Sequence, residues 1–275
     1  MNAAPSPSYS RPQKSARPAF AAPWRWALAG ALAGLALMLA INAPARWLAH
    51  ALERASGGAV RLAEPQGSVW SGSAQLVLTG GVGSRDSAAL PGRVRWQLWP
   101  ALTGLRARVS ADCCTPSGPL ALRASLRWGG ARVALADGQS LWPAALLAGL
   151  GTPWNTILPQ GELTLTTRNL QLEWAAGRFA LQGHAEVTAR HLRSRLSTLE
   201  PLGSYRLELR GGDAVALELT TLEGGLQLSG SGQWVGARLH FSGEARAAAG
   251  LQTQLANLLN LIGRRQEDKA IISLG

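Results

Sequence analysis

Few residues in this chain have the types and spacing that chemistry requires. Its four histidines are His50, His184, His191 and His240. A zinc site gathers about four His, Cys or carboxylate ligands around one point. His184 and His191 fall in or near one predicted strand with no cysteine or acidic cluster beside them, so exposed sheet surface is their expected setting. The cysteines, Cys113 and Cys114, are adjacent. In an oxidising compartment they either form a vicinal disulfide or stay free, and they offer no metal-site spacing. The plainer expectation is an incidental loop feature. The serines of Gly67-Ser68-Val69-Trp70-Ser71-Gly72 are out of the G-x-S-x-G register of a nucleophile elbow. Gly80-Gly81-Val82-Gly83 is too short, and too far from a helix start, to cradle phosphate. Glu162, Glu173 and Glu186 alternate with apolar neighbours as solvated strand positions do, and no acidic pair has a spacing that calls for general acid and base roles. The expectation is a non-enzyme with no catalytic, cofactor or metal site.

The formal charge is +11, carried almost wholly by arginine. A basic face binds phosphate, which raises nucleic acid as a partner. The arginines are instead spread singly along predicted strands, as Arg93 and Arg95 or Arg106 and Arg108, and no nucleic-acid-binding motif accompanies them. No nucleic-acid partner is expected; an anionic membrane surface fits this distribution better.

The elements that would position any site begin with a membrane segment. Residues 1–23 are rich in Pro, Ser and Ala, carry Arg11, Lys14 and Arg17 without an acid, and are predicted to be a disordered cytoplasmic tail. Trp24-Arg25-Trp26 then precedes an uncharged Ala/Leu run from Ala27 to Ile41, with Trp47 beyond it. A helix from Trp26 to Trp47 spans about 33 Å, enough to cross the hydrocarbon core, and tryptophans at both ends fit interfacial belts. Residues 24–47 are thus predicted to be a transmembrane helix with flanks. The cations before it predict a cytoplasmic amino terminus and an exported domain over residues 48–275. A cleaved signal peptide ending near Ala43-Pro44-Ala45 is the competing reading, against which stand the long leading region and the long apolar stretch. Gly30 and Gly34 form a G-x-x-x-G pair, the spacing that lets membrane helices approach closely.

Beyond Ala59, apolar residues recur at every second position. Val94, Trp96 and Leu98 alternate with Arg93, Arg95 and Gln97; Leu120, Leu122, Ala124, Leu126 and Trp128 share a face; so do Leu170, Leu172 and Trp174, then Tyr205, Leu207 and Leu209, Val215, Leu217 and Leu219, Leu226 and Leu228, and Leu239 and Phe241. A period of two places each set on one face of a strand. Gly80-Gly81, Gly129-Gly130, Ala176-Gly177, Gly211-Gly212, Gly224-Gly225 and Gly236 punctuate the runs as turns, too closely for crossover helices. The predicted fold is therefore mainly β: a transmembrane helix followed by a curved antiparallel sheet or sandwich-like domain. Residues 43–55 either continue the membrane helix or form a short connector. A short helix is expected at Leu141–Leu147 with Pro143 near its start, and the turn-rich stretch 149–161 divides two strand groups. Leu251, Leu255, Leu258, Leu259 and Ile262 have helical spacing, with Gly263 as terminator.

With these pieces gathered, the chain resembles type II secretion system protein N, the general secretion pathway N component. The resemblance runs from the membrane segment to the last residue. It rests on the order of Gly67-Ser68-Val69-Trp70-Ser71-Gly72, Gly92-Arg93-Val94-Arg95-Trp96-Gln97-Leu98-Trp99-Pro100, Leu202-Gly203-Ser204-Tyr205, Leu226-Gln227-Leu228-Ser229-Gly230-Ser231-Gly232-Gln233-Trp234 and Leu261-Ile262-Gly263-Arg264-Arg265. Cys113 and Cys114 are not part of that pattern. The resemblance implies an accessory subunit of an inner-membrane platform that helps export folded periplasmic proteins. Its partners would be other bitopic platform subunits and the secretin, and it transfers no functional residue.

Two functions follow. In the first, an exposed strand edge or apolar patch of the periplasmic domain docks partners. In the second, which rests on a looser resemblance to AsmA-like envelope proteins, the apolar sheet face is an open lipid groove. Trp70, Trp96, Trp99 and Trp234 are the candidates for an interaction surface, with burial in the core as the alternative for each.

Overall fold

The computed structural model describes residues 24–274, except 82, 128, 176, 177, 213, 236 and 237. The expected tail at 1–23, Trp128, and the turns at Ala176-Gly177 and Gly236 lie outside the described residues. The chain forms two compact units that meet between Ile41 and Asn42.

The first unit contains helix α1 (Trp24–Ile41), with mean hydropathy 1.6 and no buried residue. At 1.5 Å per residue it is about 27 Å long. It is long and apolar enough to cross a membrane. The helix is shorter than the span drawn between the flanking tryptophans. Pro44 adopts an extended conformation (φ −70°, ψ 147°) and caps a new helix, α2 (Ala45–Ala55), which carries Trp47. Helix α2 is amphipathic: Ala45, Leu48, Ala49 and Leu52 recur at helical spacing and pack on Leu62, Ala74 and Trp96. It is a cover of the second unit, not a prolongation of the apolar helix.

The second unit is built on one antiparallel sheet of 16 strands. In chain order they are β1 (Val60–Gly67), β2 (Ser71–Thr79), β3 (Ser87–Ala89), β4 (Val94–Ala101), β5 (Gly104–Ala111), β6 (Leu120–Arg127), β7 (Gly130–Leu135), β8 (Gly138–Pro143), β9 (Gln160–Ala175), β10 (Arg178–Arg193), β11 (Gly203–Arg210), β12 (Ala216–Gly224), β13 (Leu226–Val235), β14 (Arg238–Ala247), β15 (Arg264–Gln266) and β16 (Lys269–Leu274). The pairing order is β1-β2-β4-β5-β6-β7-β9-β10-β11-β12-β13-β14-β16-β15, with β3 on β2 and β8 on β9. Strands β7 and β9, on either side of the stretch at 149–161, pair directly.

The predicted alternation appears as alternating burial. In β4, Val94 and Trp96 are buried and Arg95 and Gln97 exposed. Cross-strand register carries the apolar set from strand to strand, through Leu105 opposite Ala124, Ala124 opposite Val133, Val133 opposite Leu172 and Leu172 opposite Leu181. In β9 the period slips: Thr167 and Leu170, three apart, are both buried. A bulge causes the slip. Asn169 has φ 50° and faces Gly183 (φ 88°), where a Cβ would stand 2.2 Å from the Asn169 carbonyl oxygen, so only glycine fits.

Three covers protect the apolar face. Helix α2 lies over β1 and β2. A 3-10 helix, Ala144–Leu150, places Leu146 against Leu90, Val94, Ala111 and Cys114. It starts after Pro143, whereas the expected helix began at Leu141; Leu141 and Trp142 are instead held in β8 by pairing with β9. A short helix, α3 (Trp154–Ile157), follows and buries Ile157. Helix α4 (Gln252–Ile262) sinks Leu255, Leu258 and Leu259 onto Ala245, Ala270, Tyr205 and Leu226, and Gly263 ends it as expected. Between the covers, Leu170, Leu181, Ala185 and Val215 form a fourth core with Leu135, Leu209 and Trp234.

The two ends of the sheet are connected differently. At one end lie the close turns β1–β2, β4–β5, β6–β7, β9–β10, β11–β12 and β13–β14; at the other lie the close β12–β13 turn and the long connections that carry β3, the cysteines, the 3-10 helix, α3 and α4. We call these the hairpin end and the connection end.

Candidate interaction surface

The tryptophans singled out from the sequence do not share one surface. Trp96 is core, 4% exposed, and its indole N–H donates to the Val69 carbonyl at 3.1 Å. Gly72 makes room for it, since a Cβ there would stand 2.5 Å from the ring. Trp234 is half-buried against the Leu170–Leu181 core. Trp70 sits half-buried in the β1–β2 turn, its carbonyl accepting from Leu98 N–H at 2.7 Å. Trp99 lies on the opposite, polar face of β4, where the Arg108 guanidinium stands 5.2 Å from its ring centroid. Gly30 and Gly34 are exposed on α1, one turn apart, with open space where each Cβ would stand.

The remaining candidates fall as follows. Cys113 and Cys114 are bonded as a vicinal disulfide, with Cys114 fully buried beneath Leu146. His50, His191 and His240 are exposed and His184 is half-buried; His191 Nε2 lies 3.8 Å from Glu223. Among the described residues, no group of three or more His, Cys, Asp or Glu side chains is arranged to hold a metal ion.

Sequence reasoning missed a different group. Large apolar side chains are exposed at the hairpin end: Leu102 (108%), Leu126 (79%), Trp174 (58%) and Trp47 (50%). Register places Leu126, Ala131 and Trp174 in one row across β6, β7 and β9, on the same face as the buried residues. Periodicity had assigned that face correctly; the signal it lacked was where the covers stop. On the polar face nearby, Arg106 stands directly opposite Arg123, with no ion pair for either among the described residues. Like charges placed this way repel. The described acids at this end are already engaged: Glu173 pairs with Arg132 at 2.7 Å, and Glu208 and Glu218 both pair with Arg210. The hydrogen bond from Arg210 holds the Glu208 carboxyl below the ordinary carboxylate range. At the connection end, hydrogen bonds from Lys269 and Arg246 do the same for Glu244.

The sheet edges are guarded. Strand β1 carries Pro65 beside a bulge at Glu64 (φ 48°), and β15 is three residues long with Arg264 and Arg265. Proline, bulges, shortness and charge all hinder addition of another strand.

The family model for type II secretion system (T2SS), protein N, matches residues 58–272. The chain belongs to the type II secretion system protein N family. The match runs from just before β1 into β16, so the whole sheet, both of its ends and α4 are family structure. The protein N family is a component of secretion machinery, in keeping with a molecule whose notable surface is apolar and cationic. No curated protein and no solved structure matches the chain.

Proposed function

We propose that this protein is a membrane-anchored accessory subunit of the type II secretion platform. Helix α1 crosses the inner membrane with its amino terminus in the cytoplasm, and the sheet domain works in the periplasm by docking other bitopic subunits and the secretin. The family match over residues 58–272 carries this reading. The apolar helix supports the anchor, and Arg11, Lys14, Arg17 and Arg25 ahead of it support the orientation. The guarded edges favour docking through side-chain surfaces over strand addition. Crosslinking in native membranes tests the reading: adducts between the sheet domain and platform subunits, with loss of secretion on deletion, are expected. Normal secretion without the protein, or a domain that protease added to spheroplasts leaves intact, contradicts it.

One observation favours a second reading, a lipid-handling groove. Leu105, Ala124, Val133 and Leu172 form a cross-strand apolar row and remain half-buried beyond the reach of α2 and α4. Phospholipid retained by the purified protein in native mass spectrometry is the expected result of this reading; a lipid-free spectrum removes it.

A further inference from the structure

We propose that the hairpin end of the sheet is a membrane-contacting rim, seated on the surface of the bilayer that the chain leaves at Ile41. The inference rests on reading α1 as a membrane span and adds where the second unit touches lipid.

Three independent observations converge on this end. The first is the tether. Asn42 opens the second unit, and the next two residues are already fixed on the β1–β2 turn: the Ala43 carbonyl accepts from Val69 N–H at 2.8 Å, and Pro44 bridges to Ser68. From Ile41, the last residue of α1, to Ala43 the backbone reaches at most about 7 Å. If Ile41 is at the edge of the hydrocarbon, the β1–β2 turn is within one headgroup layer of it. The neighbouring hairpins turn at the same end of the sheet.

The second is the character of the side chains there. Leu102 is at the tip of the β4–β5 turn and Leu126 near the end of β6, both more exposed than any other described large apolar residue of the second unit. A soluble rim would place polar residues at turn tips. Trp47, Trp99 and Trp174 accompany them, each partly or largely exposed. Amphipathic indoles concentrate where a bilayer meets water. Among the described residues, Trp142 and Trp154 are the only tryptophans of the second unit at the connection end.

The third is charge. Arg106 is three residues past the β4–β5 turn and faces Arg123, and neither has an ion pair among the described residues. Anionic headgroups would relieve that repulsion, whereas the described carboxylates of this end are already held by Arg132 and Arg210. An apolar tip bordered by unpaired arginine suits a lipid surface: leucine and indole enter the interface while guanidinium meets phosphate.

Photocrosslinking of the full chain in its native membrane tests the proposal. A benzophenone amino acid is placed, one position at a time, at Leu102, Leu126, Leu35, Val133 and Leu222. Leu35 reports the α1 span. Leu222 is an exposed leucine (44%) near the far end of β12, about 20 Å from the rim. Phospholipid adducts at Leu102, Leu126 and Leu35, with none at Leu222, are expected. Lipid at Leu35 but only protein adducts, or none, at Leu102 and Leu126 overturns the rim and leaves the span intact. Lipid at Val133 with none at Leu102 puts lipid inside the sheet and also overturns it. Absence of lipid at Leu35 overturns the span, and the rim with it. A Leu102→Glu/Leu126→Glu double variant should still fold, and lipid adducts at a probe placed at Trp174 should be lost.

Discussion

The two ends of one sheet have been built for opposite tasks. At the connection end, long links return as helices that bury leucine: α4 drives Leu255, Leu258 and Leu259 to full burial over Ala245 and Ala270. At the hairpin end the links are too short to cover anything, and the same apolar face emerges as Leu126 and Trp174. Trp96 marks the exception, because α2 begins at the hairpin end and covers it. Inward-facing periodicity thus means burial only where a connection is long enough to fold back. Where it is not, the same pattern yields a surface.

Substitutions break or sharpen this contrast in a graded way. Trp96→Ala should cost most, about 3–5 kcal/mol, because it empties the space beneath α2 and releases the Val69 carbonyl; urea unfolding of the purified chain in detergent, followed by tryptophan fluorescence, measures it. Leu258→Ala at the connection end should cost about 2–5 kcal/mol by the same assay. Tyr205→Phe should cost about 1–3 kcal/mol, since the buried hydroxyl donates to the Leu226 carbonyl at 2.9 Å. Burial also pushes the ionisation of that phenol well above its ordinary range, so the bond is insensitive to pH across neutrality.

Glu244→Gln should have a smaller and pH-dependent effect. The native carboxyl sits below its ordinary range, so it stabilises the fold at neutral pH. That contribution declines as pH falls below the ordinary carboxylate value and vanishes beneath the depressed native one. Urea midpoints of wild type and variant should therefore differ at pH 7 and converge in acid; a constant gap would mean the ion pairs with Lys269 and Arg246 are not its source. Leu126→Ser should be nearly silent, within about 0.5 kcal/mol. A large loss there would show that the hairpin end is packed after all and erase the contrast.

Much of this architecture was legible in the sequence. Strand β13 follows its period-two pattern through its described residues and β4 does so from Val94 to Gln97, whereas β11 buries Gly203, Ser204 and Tyr205 in succession beside a register shift; Leu251 to Ile262 declared α4 by helical spacing. The apolar span was equally plain, but its end was not: Trp47 suggested a longer helix, while Pro44 stopped α1 and started a second helix whose partners, Leu62 and Trp96, are brought to it only by the fold. The bulge at Asn169 and Gly183 could not be read from β9 alone, because its cause lies in the paired strand. The exposed rim was hidden for a related reason. Leu102, Leu126 and Trp174 are far apart in sequence, and only the alternation of strand direction brings their turns to one end. The disulfide between Cys113 and Cys114 joined neighbours that the sequence left open between thiol and bond.

Pro65 in β1 and the short, arginine-bearing β15 have a consequence for life in a crowded envelope. Copies brought shoulder to shoulder are hindered from zipping their sheets into a continuous ribbon, since both margins resist a further strand. Local enrichment of the protein is therefore not expected to seed fibres through its sheet margins, and any gathering of copies must use side-chain surfaces instead.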